Sequence, residues 1–418
     1  MLSGLTTRGR CLLAAGVAAA ICAWVLNERD LLRVAVFVIA LPLLMMLFIT
    51  LSKVRIGATR ALEPDRVPAG TETTVRLQLW RAGRMPSGEV LLEDGVAYGL
   101  GARPRFIVEH LPHGQRVPLR YGLRPQLRGM QQVGPLRARV TDPFGICEFE
   151  RELIGTSRLT VVPHTQQLSG LPSGGGLGAG EDGSIQRGSG AGEPDAIVRQ
   201  YRQGDDMRLV HWPSTARRDE IMVRLEEKPR HGGTVVLLDH RTAAHHGTGP
   251  KASIEWAVSF AASVALHLRR SGHAVRLVTE HAKVLAELPA DGGPAHDNVA
   301  LDALAMLQPA HQRDVTLGGD PAGGKELIAV LGSISNEAIH ELTRHRARGM
   351  RSLAVLLDTG AWSSPGNGAT RSSAVEESAR LLRAAGWSVV IARQGSAIPD
   401  VWAELCRAGR WYPAMVGS

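Results

Sequence analysis

Two long apolar runs open the chain. Residues 11–26 carry no charge, and after a short polar break at 27–30 a second run covers 31–51, with Arg33 as its single charge. About 20 apolar residues span a bilayer as a helix, so the second run is long enough and the first slightly short. A signal peptide is the competing interpretation of the first run. Because a second run follows so soon, two antiparallel transmembrane helices within residues 1–53 explain both runs at once.

Residues 54–165 change to a strand-like alternation of apolar and polar positions. Short segments of this kind, separated by Gly and Pro, are typical of a small β-sandwich. Helical periodicity is absent from this region. The segments that predict strands are 75–80, 89–94, 105–110 and 116–123.

A Gly- and Ser-rich stretch at residues 166–196 predicts a linker, because so few apolar residues cannot form a core. Beyond residue 231, continuous apolar segments alternate with amphipathic ones. Buried strands that alternate with helices predict a doubly wound α/β domain with a parallel sheet over residues 231–418. The predicted strands are 234–239, 274–279, 326–332, 351–358 and 387–393, and the predicted helices are 253–272, 336–349 and 374–386.

Between linker and sheet lies a densely charged segment at residues 197–230, with 8 basic and 6 acidic residues. Gly204, Asp205 and Asp206 form a turn-like triplet. Alternating signs favour an ordered, ion-paired loop over a polyanion-binding surface. The segment is therefore either a clamp that pins domains together or a contact surface, and Trp212 can be buried in either case, so its loss is expected to destabilise the fold.

The 418 residues predict several domains, and the net charge of +8 is compatible with anionic partners. No basic block suggests nucleic-acid binding. The four cysteines have no short spacing, which fits a reducing compartment. Basic residues flank the two apolar runs and predict that both ends, and the domains that follow, are cytoplasmic. These flanking residues are Arg8, Arg10, Lys53, Arg55 and Arg60.

The sequence at residues 198–227, VRQYRQGDDMRLVHWPSTARRDEIMVRLEE, resembles the signature of the bacterial membrane-anchored proteins called domain of unknown function 58. Arg128-Gly129, Gly134-Pro135 and the turn at 142–145 are similar to a further pattern of that family. The candidate signature and partner-binding residues are Arg199, Tyr201, Arg202, Gly204, Asp205, Asp206, Arg208, Trp212, Ala216, Arg217 and Arg218. Val210, Thr215, Met222, Val223, Arg224 and Glu226 also match the signature.

The resemblance implies a C-terminal domain of the von Willebrand factor A type. It also implies a functional link with MoxR-type AAA+ ATPases and with transglutaminase-like membrane proteins, in the assembly or maturation of protein complexes. The expected role is that of a non-enzymatic, membrane-tethered scaffold without a cofactor.

Candidate chemistry in the predicted α/β domain is sparse. A metal site of the A type requires Asp-x-Ser-x-Ser after the first strand, but Arg241 and Ala243 stand at the two serine positions. Asp239 is therefore expected to pair with Arg241 or to cap a turn. His240, His245 and His246 lack the spacing of a zinc site and predict a polar loop. No catalytic motif is present, and the alternative to a scaffold is a hydrolase that uses the cluster Asp205, Asp206 and His211.

Overall fold

The computed structural model of the chain describes most of the expected domains. The described residues are 4–52, 56–81, 90–109, 111–112, 114–141, 144–172, 197–200, 212–218, 220, 222–225, 233–312, 315–317, 320–345, 350–363 and 373–409.

Both N-terminal apolar runs form helices, as predicted. Helix α1 covers Thr7–Leu26 and helix α2 covers Arg29–Ser52. The hydroxyl of Thr6 accepts a hydrogen bond from the backbone N–H of Gly9 at 3.3 Å, which caps α1 as Ser and Thr commonly do. Asn27 ends α1 with φ 53°, a left-handed conformation that Asn tolerates. Both helices are long and apolar enough to cross a membrane.

The two helices pack against each other through a small residue. A Cβ atom on Gly16 would lie 2.7 Å from Cγ1 of Ile39, so the helices approach too closely for a larger side chain there. Large apolar side chains point away from the pair, with Trp24 83% exposed and Phe37 67% exposed. The outer surface of the helix pair is therefore apolar, which is typical of helices that face lipid.

The described residues of the following region form nine strands in two sheets. The four predicted strands are confirmed as β3 to β6. One sheet has the order β1-β3-β6, and the other has the order β2-β9-β7-β4-β5, with β8 pairing with β7. The strands are β1 Ile56–Glu63, β2 Arg66–Pro68, β3 Thr73–Arg81, β4 Val90–Val96, β5 Arg105–Val108, β6 Arg116–Leu123, β7 Gly129–Thr141, β8 Glu148–Ile154 and β9 Ser157–Val162.

Alternation along the strands builds one core between the two sheets. In β3, Val75 and Leu77 are fully buried, whereas Arg76 between them is exposed. The buried pair packs with Val133 and Leu159 of the opposite sheet. Burying such a side chain contributes about 1.5–3 kcal/mol relative to leaving it exposed. The two sheets therefore face each other, and the predicted sandwich is confirmed.

A buried ion pair joins the two sheets of the sandwich. Arg60 of β1 binds the carboxylate of Asp94 of β4, and both side chains are fully buried. Arg60 also donates to the carbonyl oxygens of Val133 at 2.9 Å and Gly155 at 2.8 Å. The hydroxyl of Tyr121 donates to Asp94 at 2.6 Å, and burial followed by this hydrogen bond raises the pKa of Tyr121. The sequence analysis counts Arg60 among the basic residues that flank the apolar runs. In the structure its side chain is instead buried in the core of the sandwich.

Replacing Arg60 by Met should destabilise the sandwich by about 3–5 kcal/mol, because the carboxylate of Asp94 would remain buried without its counter-charge. The control is Arg76→Met, which removes a half-exposed pair between Arg76 and Glu63 with an N–O distance of 2.8 Å. Such pairs contribute about 0–1 kcal/mol. Pulse proteolysis of the detergent-solubilised chain in urea measures both changes. Equal effects of the two substitutions would contradict the role assigned to Arg60.

The C-terminal region is an α/β fold, as predicted. Its sheet has the order β14-β13-β12-β15-β16-β17, parallel throughout except for the antiparallel edge strand β14. The strands are β12 Thr234–Leu238, β13 Val275–Thr279, β14 Val284–Leu288, β15 Glu326–Leu331, β16 Ser352–Leu357 and β17 Ser388–Ala392. The helices are α4 Ser253–Arg270, α5 Pro294–Met306, α6 Asn336–Arg344, α7 Gly360–Ser363, α8 Ser373–Ala384 and α9 Ile398–Ala408.

Helices cover both faces of this sheet. Helices α6 and α8 pack on one face through Ile339 and Leu382, in a core that also contains Val235 and Leu237 of β12. Helices α4 and α9 contact the sheet as well, and Trp402 of α9 is fully buried. The sheet is thus covered on both sides, which explains why its central strands are apolar at nearly every position.

The charged segment before the sheet forms a small hairpin with a helix. Strands β10 Ile197–Gln200 and β11 Met222–Leu225 pair antiparallel, and helix α3 covers Trp212–Arg218 between them. The turn predicted at residues 204–206 lies outside the described residues.

The first residues of the expected linker contact helices of the α/β fold. The backbone N–H of Gln166 donates to the hydroxyl of Ser263 at 3.0 Å. The carbonyl of Gly170 accepts hydrogen bonds from Trp402 at 3.1 Å and from His267 at 2.9 Å. Residues 165–172 are therefore attached to α4 and α9, although their sequence is too polar to predict this. The chain divides into two compact units, residues 1–164 with 301–307, and residues 165–300 with 308–418.

Candidate functional site

The order of the strands reverses around β12, where consecutive connections leave towards opposite edges of the sheet. In open α/β sheets, ligands bind in the crevice outside the carboxyl ends of the strands at such a point. Here the residues that follow the strands are polar and buried. They are Asp239 after β12, Glu280 after β13 and Asp358 after β16.

A buried ion pair fills this crevice. The carboxylate of Asp239 accepts hydrogen bonds from Nε of Arg241 at 2.9 Å and from its NH2 group at 2.7 Å. It also accepts from the backbone N–H of Arg241 at 3.1 Å. The same guanidinium donates to the carbonyl of Ser333, after β15, at 3.1 Å. The predicted pairing of Asp239 with Arg241 is confirmed, and it connects the loops that follow β12 and β15.

A glycine in the loop after β15 allows this loop to approach the loop after β12 closely. A Cβ atom on Gly332 would collide with the carbonyl of Ala244, so no other residue fits without a shift. The backbone N–H of Gly332 also points at Asp239, with an N–O distance of 3.4 Å. Ser333 donates its backbone N–H to Ala244 at 2.8 Å. The crevice is therefore closed by direct contacts between the two loops.

The histidines of the loop after β12 serve it structurally. His245 binds the carbonyl of Asp239 at 2.8 Å through Nε2, which must carry the hydrogen because a carbonyl only accepts. Its Nδ1 lies 3.0 Å from the hydroxyl of Ser253, which accepts from the backbone N–H of His246 at 3.0 Å. Burial lowers the pKa of His245, although the charge of Asp239 acts in the opposite direction. A neutral His245 that accepts from Ser253 satisfies every contact, and the fully buried Ser253 is not placed to attack a substrate.

A second buried carboxylate stands beside the first. Glu280 binds Nδ1 of His240 at 2.6 Å and the backbone N–H of His240 at 3.2 Å. Nε2 of His281 lies 3.5 Å from its other oxygen. Burial raises the pKa of Glu280, but the hydrogen bonds from His240 and from the backbone outweigh it, and the pKa is lowered. Glu280 and His281 were not predicted from the sequence; their only signal is a polar pair directly after an apolar strand.

The part of the chain that the structure describes contains no group of three or more His, Cys, Asp or Glu side chains placed to hold a metal ion. The carboxylate of Asp239 is paired with the guanidinium of Arg241. The positive charge of that group repels a metal cation from this position. The rings of His240 and His245 bind different partners, Glu280 and the carbonyl of Asp239, and His246 contacts Ser253 through its backbone N–H.

The candidate signature residues are placed only in part. Trp212 opens α3 and is 69% exposed, which corrects the expectation that it is buried. Ala216 and Arg217 on the same helix are also exposed. Arg199 lies in β10 and Arg218 in α3. The signature residues outside the described part of the chain are Tyr201, Arg202, Gly204, Asp205, Asp206 and Arg208, and the same holds for His211.

One further carboxylate with a shifted pKa, that of Glu326, lies at the amino ends of the strands. Glu326 is the first residue of β15, is 4% exposed, and pairs in register with Thr234 of β12. Among the described residues, neither its carboxylate oxygens nor the Thr234 hydroxyl has a hydrogen-bond partner. Burial raises the pKa of Glu326 to about 7, although the charge of Arg351 opposes this. Glu326 begins β15, whereas the crevice lies at the carboxyl ends of the strands, so the two are separated by the length of the strand.

Glu326 should make stability depend on pH. Its folded pKa lies above the usual value of about 4.3, so the folded state keeps a proton that the unfolded state releases between these values, and stability falls as pH rises through this window. Glu326→Gln removes that dependence and should stabilise the chain by about 1–3 kcal/mol at pH 8 but hardly at pH 5. Melting temperatures at both pH values measure the effect. Glu404→Gln on the exposed side of α9 is the control, and a Glu326→Gln variant that is less stable at pH 8 would refute the interpretation.

Mg²⁺ or Mn²⁺ at millimolar concentration should not stabilise the chain, because the guanidinium of Arg241 already neutralises Asp239. A ligand that binds only the native state must raise the melting temperature by mass action. The measurement compares melting temperatures in metal and in chelator. A rise with metal that Asp239→Asn abolishes would show that the loop binds a cation.

Comparison with known proteins finds one family model that matches part of the chain. A family model described as protein of unknown function DUF58 matches residues 197–326, from β10 to the first residue of β15. No curated protein matches the chain significantly. The chain has a weak similarity to the solved CARDB domain of the PF1109 protein from Pyrococcus furiosus, at 14% identity over 26% of this chain and 93% of that chain, with a TM-score of 0.20.

A cohesin module from the Clostridium perfringens family 33 glycoside hydrolase is similar at 16% identity, over 26% of this chain and 98% of that chain, also with a TM-score of 0.20. Scores this low carry no argument about fold or function. The family-model match includes the signature at residues 198–227 and supports the resemblance of this part of the chain to the DUF58 family.

Proposed function

We propose that this chain is a non-enzymatic scaffold, tethered to a membrane, whose surface around α3 binds a protein partner. The observation that carries the proposal is the exposure of Trp212, which is 69% accessible at the start of α3. Trp and Arg are the residue types most enriched among the side chains that dominate protein interfaces. We name the exposed residues Trp212, Ala216 and Arg217 the α3 surface.

The spacing within the α3 surface suits a docking site. Trp212 and Ala216 are four residues apart in a helix and therefore lie on the same side of it. A small Ala beside the indole leaves the ring uncovered, and the guanidinium of Arg217 adds a donor that can meet a carboxylate. A partner with an apolar pocket and acidic rim fits these features.

The α/β fold is proposed to be of the von Willebrand factor A type. Its support is the strand order with an antiparallel edge strand and an Asp directly after β12. The departure from that type is the ion pair of Arg241 with Asp239. We therefore assign partner binding to the α3 surface and give the crevice a structural role.

The proposed partner class is a MoxR-type AAA+ ATPase, with a transglutaminase-like membrane protein in the same assembly. This part rests on the resemblance to the DUF58 family, which the family-model match at residues 197–326 supports. Helices α1 and α2 are proposed as two antiparallel spans with both ends on the cytoplasmic side. The exposed residues Arg8 and Arg10 at the start of α1 favour that orientation.

The alternative of a hydrolase depends on Asp205, Asp206 and His211, which lie outside the described residues. No observation on the described residues favours it. Ser253 and His245 are in contact but are held inside the fold by the backbone of Asp239 and His246.

Trp212→Ala combined with Arg217→Glu should abolish capture of an AAA+ ATPase from native membrane extracts. Because both side chains are exposed, the melting temperature should change by only a few degrees, as for surface substitutions of about 0.5 kcal/mol. Affinity purification with mass spectrometry identifies the captured partner.

The matched control combines Val299→Ala, at a side chain that is 60% exposed on α5, with Arg407→Glu on α9. It makes the same two kinds of change elsewhere on the surface and should leave capture intact. Undiminished capture by a stable Trp212→Ala/Arg217→Glu variant would remove the interface from the α3 surface. A large loss of stability in that variant would instead support the role of a structural clamp.

A further inference from the structure

The sequence predicts only a folded corner at residues 142–145. Residues 144–147, which we call the β7–β8 corner, are attached to the start of helix α1. The backbone N–H of Thr6 donates to the carbonyl of Ile146 at 2.9 Å, and its hydroxyl donates to the carbonyl of Gly145 at 2.6 Å. Leu5 and Cys147 form an antiparallel bridge. The same residue that caps α1 therefore holds the corner.

An apolar cluster continues this contact onto both helices. Leu5, Ile146 and Cys147 are buried together. A Cβ atom on Gly9 would collide with the carbonyl of Ile146, so the corner and α1 are in backbone contact. The residues packed around this cluster are Leu12 and Leu13 of α1, Leu41, Met45 and Met46 of α2, and Phe149 of β8. The corner thus lies at the end of the helix pair where α1 begins and α2 approaches its end.

This position has a definite depth if the helices cross a bilayer. Helix α1 has 20 residues and is about 30 Å long, which equals the thickness of the hydrocarbon core. The level of Thr6 is then the boundary between hydrocarbon and headgroups. Phe144 precedes the glycine that Thr6 binds, and its ring is 59% exposed. An exposed ring at that level suits the interface, where aromatic side chains are enriched.

Charge around the corner fits the same environment. Arg8 and Arg10 are exposed on the first turn of α1, and neither forms an ion pair with a described residue. A Cβ atom on Gly145 would lie 3.5 Å from the guanidinium of Arg8, so this cation stands beside the corner. Basic side chains at this level attract the phosphates of anionic lipids.

We propose that the β7–β8 corner is a membrane-binding element that places Phe144 in the lipid interface, beside the guanidinium groups of Arg8 and Arg10. The occupant of this surface is the bilayer itself, because the corner is continuous with the apolar surface of α1 and α2. The inference rests on the proposed membrane anchoring. If the corner binds the membrane in this way, the sandwich is attached to the bilayer surface at the corner as well as through the chain connection to α2.

The test places the photoreactive residue benzoyl-phenylalanine at position 144 of the full-length chain in native membranes, with lipid adducts detected by mass spectrometry after illumination. The positive control has the probe at Phe37, which is 67% exposed on α2, and the negative control has it at Met130, which is 45% exposed near the start of β7. Met130 is separated from the end of β7 by about ten residues, or roughly 33 Å of strand. Each variant must fractionate with membranes and keep its melting temperature.

We expect lipid adducts at position 144 at a yield similar to that at 37 and at least about fivefold above that at 130, as for an interfacial side chain. Adducts at 37 without adducts at 144 would overturn the proposal for the corner and leave the anchor intact. Protein adducts at 144 in place of lipid adducts would also overturn it, in favour of a protein contact. Absence of adducts at 37, with the chain outside the membrane fraction, would refute the anchor and with it this inference.

Discussion

The ion pair between Asp239 and Arg241 holds together the loops at the carboxyl ends of the central strands of the α/β fold. Its carboxylate is held by three nitrogen atoms of Arg241, and the guanidinium extends to Ser333 on the next loop. The charge at the carboxyl edge of the sheet is therefore neutralised inside the protein. A cation in this place would have to displace a bidentate guanidinium, which is among the strongest partners of a carboxylate in proteins. The carboxylate of Asp239 is thus part of the hydrogen bonding within the fold, which is why the proposed partner contact is assigned to the α3 surface.

The β-sandwich also contains a buried pair of an arginine and an aspartate, which here joins two sheets. Arg60 and Asp94 come from different sheets, and Tyr121 and two backbone carbonyls complete their hydrogen bonds. A buried pair is costly to desolvate and is favourable only when the remaining donors and acceptors are satisfied, which is the case here. The pair therefore connects the two sheets at one defined place, Arg60 of β1 and Asp94 of β4. In both folds the planar guanidinium of an arginine donates hydrogen bonds to a carboxylate and to carbonyl oxygens at the same time.

Elements could be predicted from the sequence where one physical signal dominates. The central parallel strands are apolar at nearly every position because both faces are covered, and the two N-terminal helices are apolar along most of their length. The pairing of Asp239 with Arg241 was predictable because the two residues are neighbours in one loop. The edge strand β14 gave little signal, since exposed and buried positions mix over five residues. Helix α9 begins with Ile398-Pro399, and a Pro there is compatible with a helix start although it resembles a break.

Properties that depend on distant partners could not be predicted. Arg60 has the sequence context of a membrane flank, and only the position of Asp94 on the other sheet shows that it is buried. The attachment of residues 165–172 to α4 and α9 uses backbone atoms of Gln166 and Gly170, which leave no trace in side-chain pattern. Trp212 suggests burial by its chemistry, yet it is 69% exposed at the start of α3. Composition indicated none of these arrangements.

Aromatic residues, which make up only 4% of the chain, link these observations to function. The tryptophans and phenylalanines of the α/β core, such as Phe260 and Trp402, are fully buried. Among the described residues, the exposed tryptophans and phenylalanines are Trp24, Phe37, Phe144 and Trp212. Exposing a large ring to water is unfavourable. The first two lie on the apolar helices α1 and α2, Phe144 lies at their end, and Trp212 lies within the residues that the family model matches. The proposed membrane contact and the proposed partner contact therefore depend on different rings, so that substitution of one ring tests one proposal without altering the other.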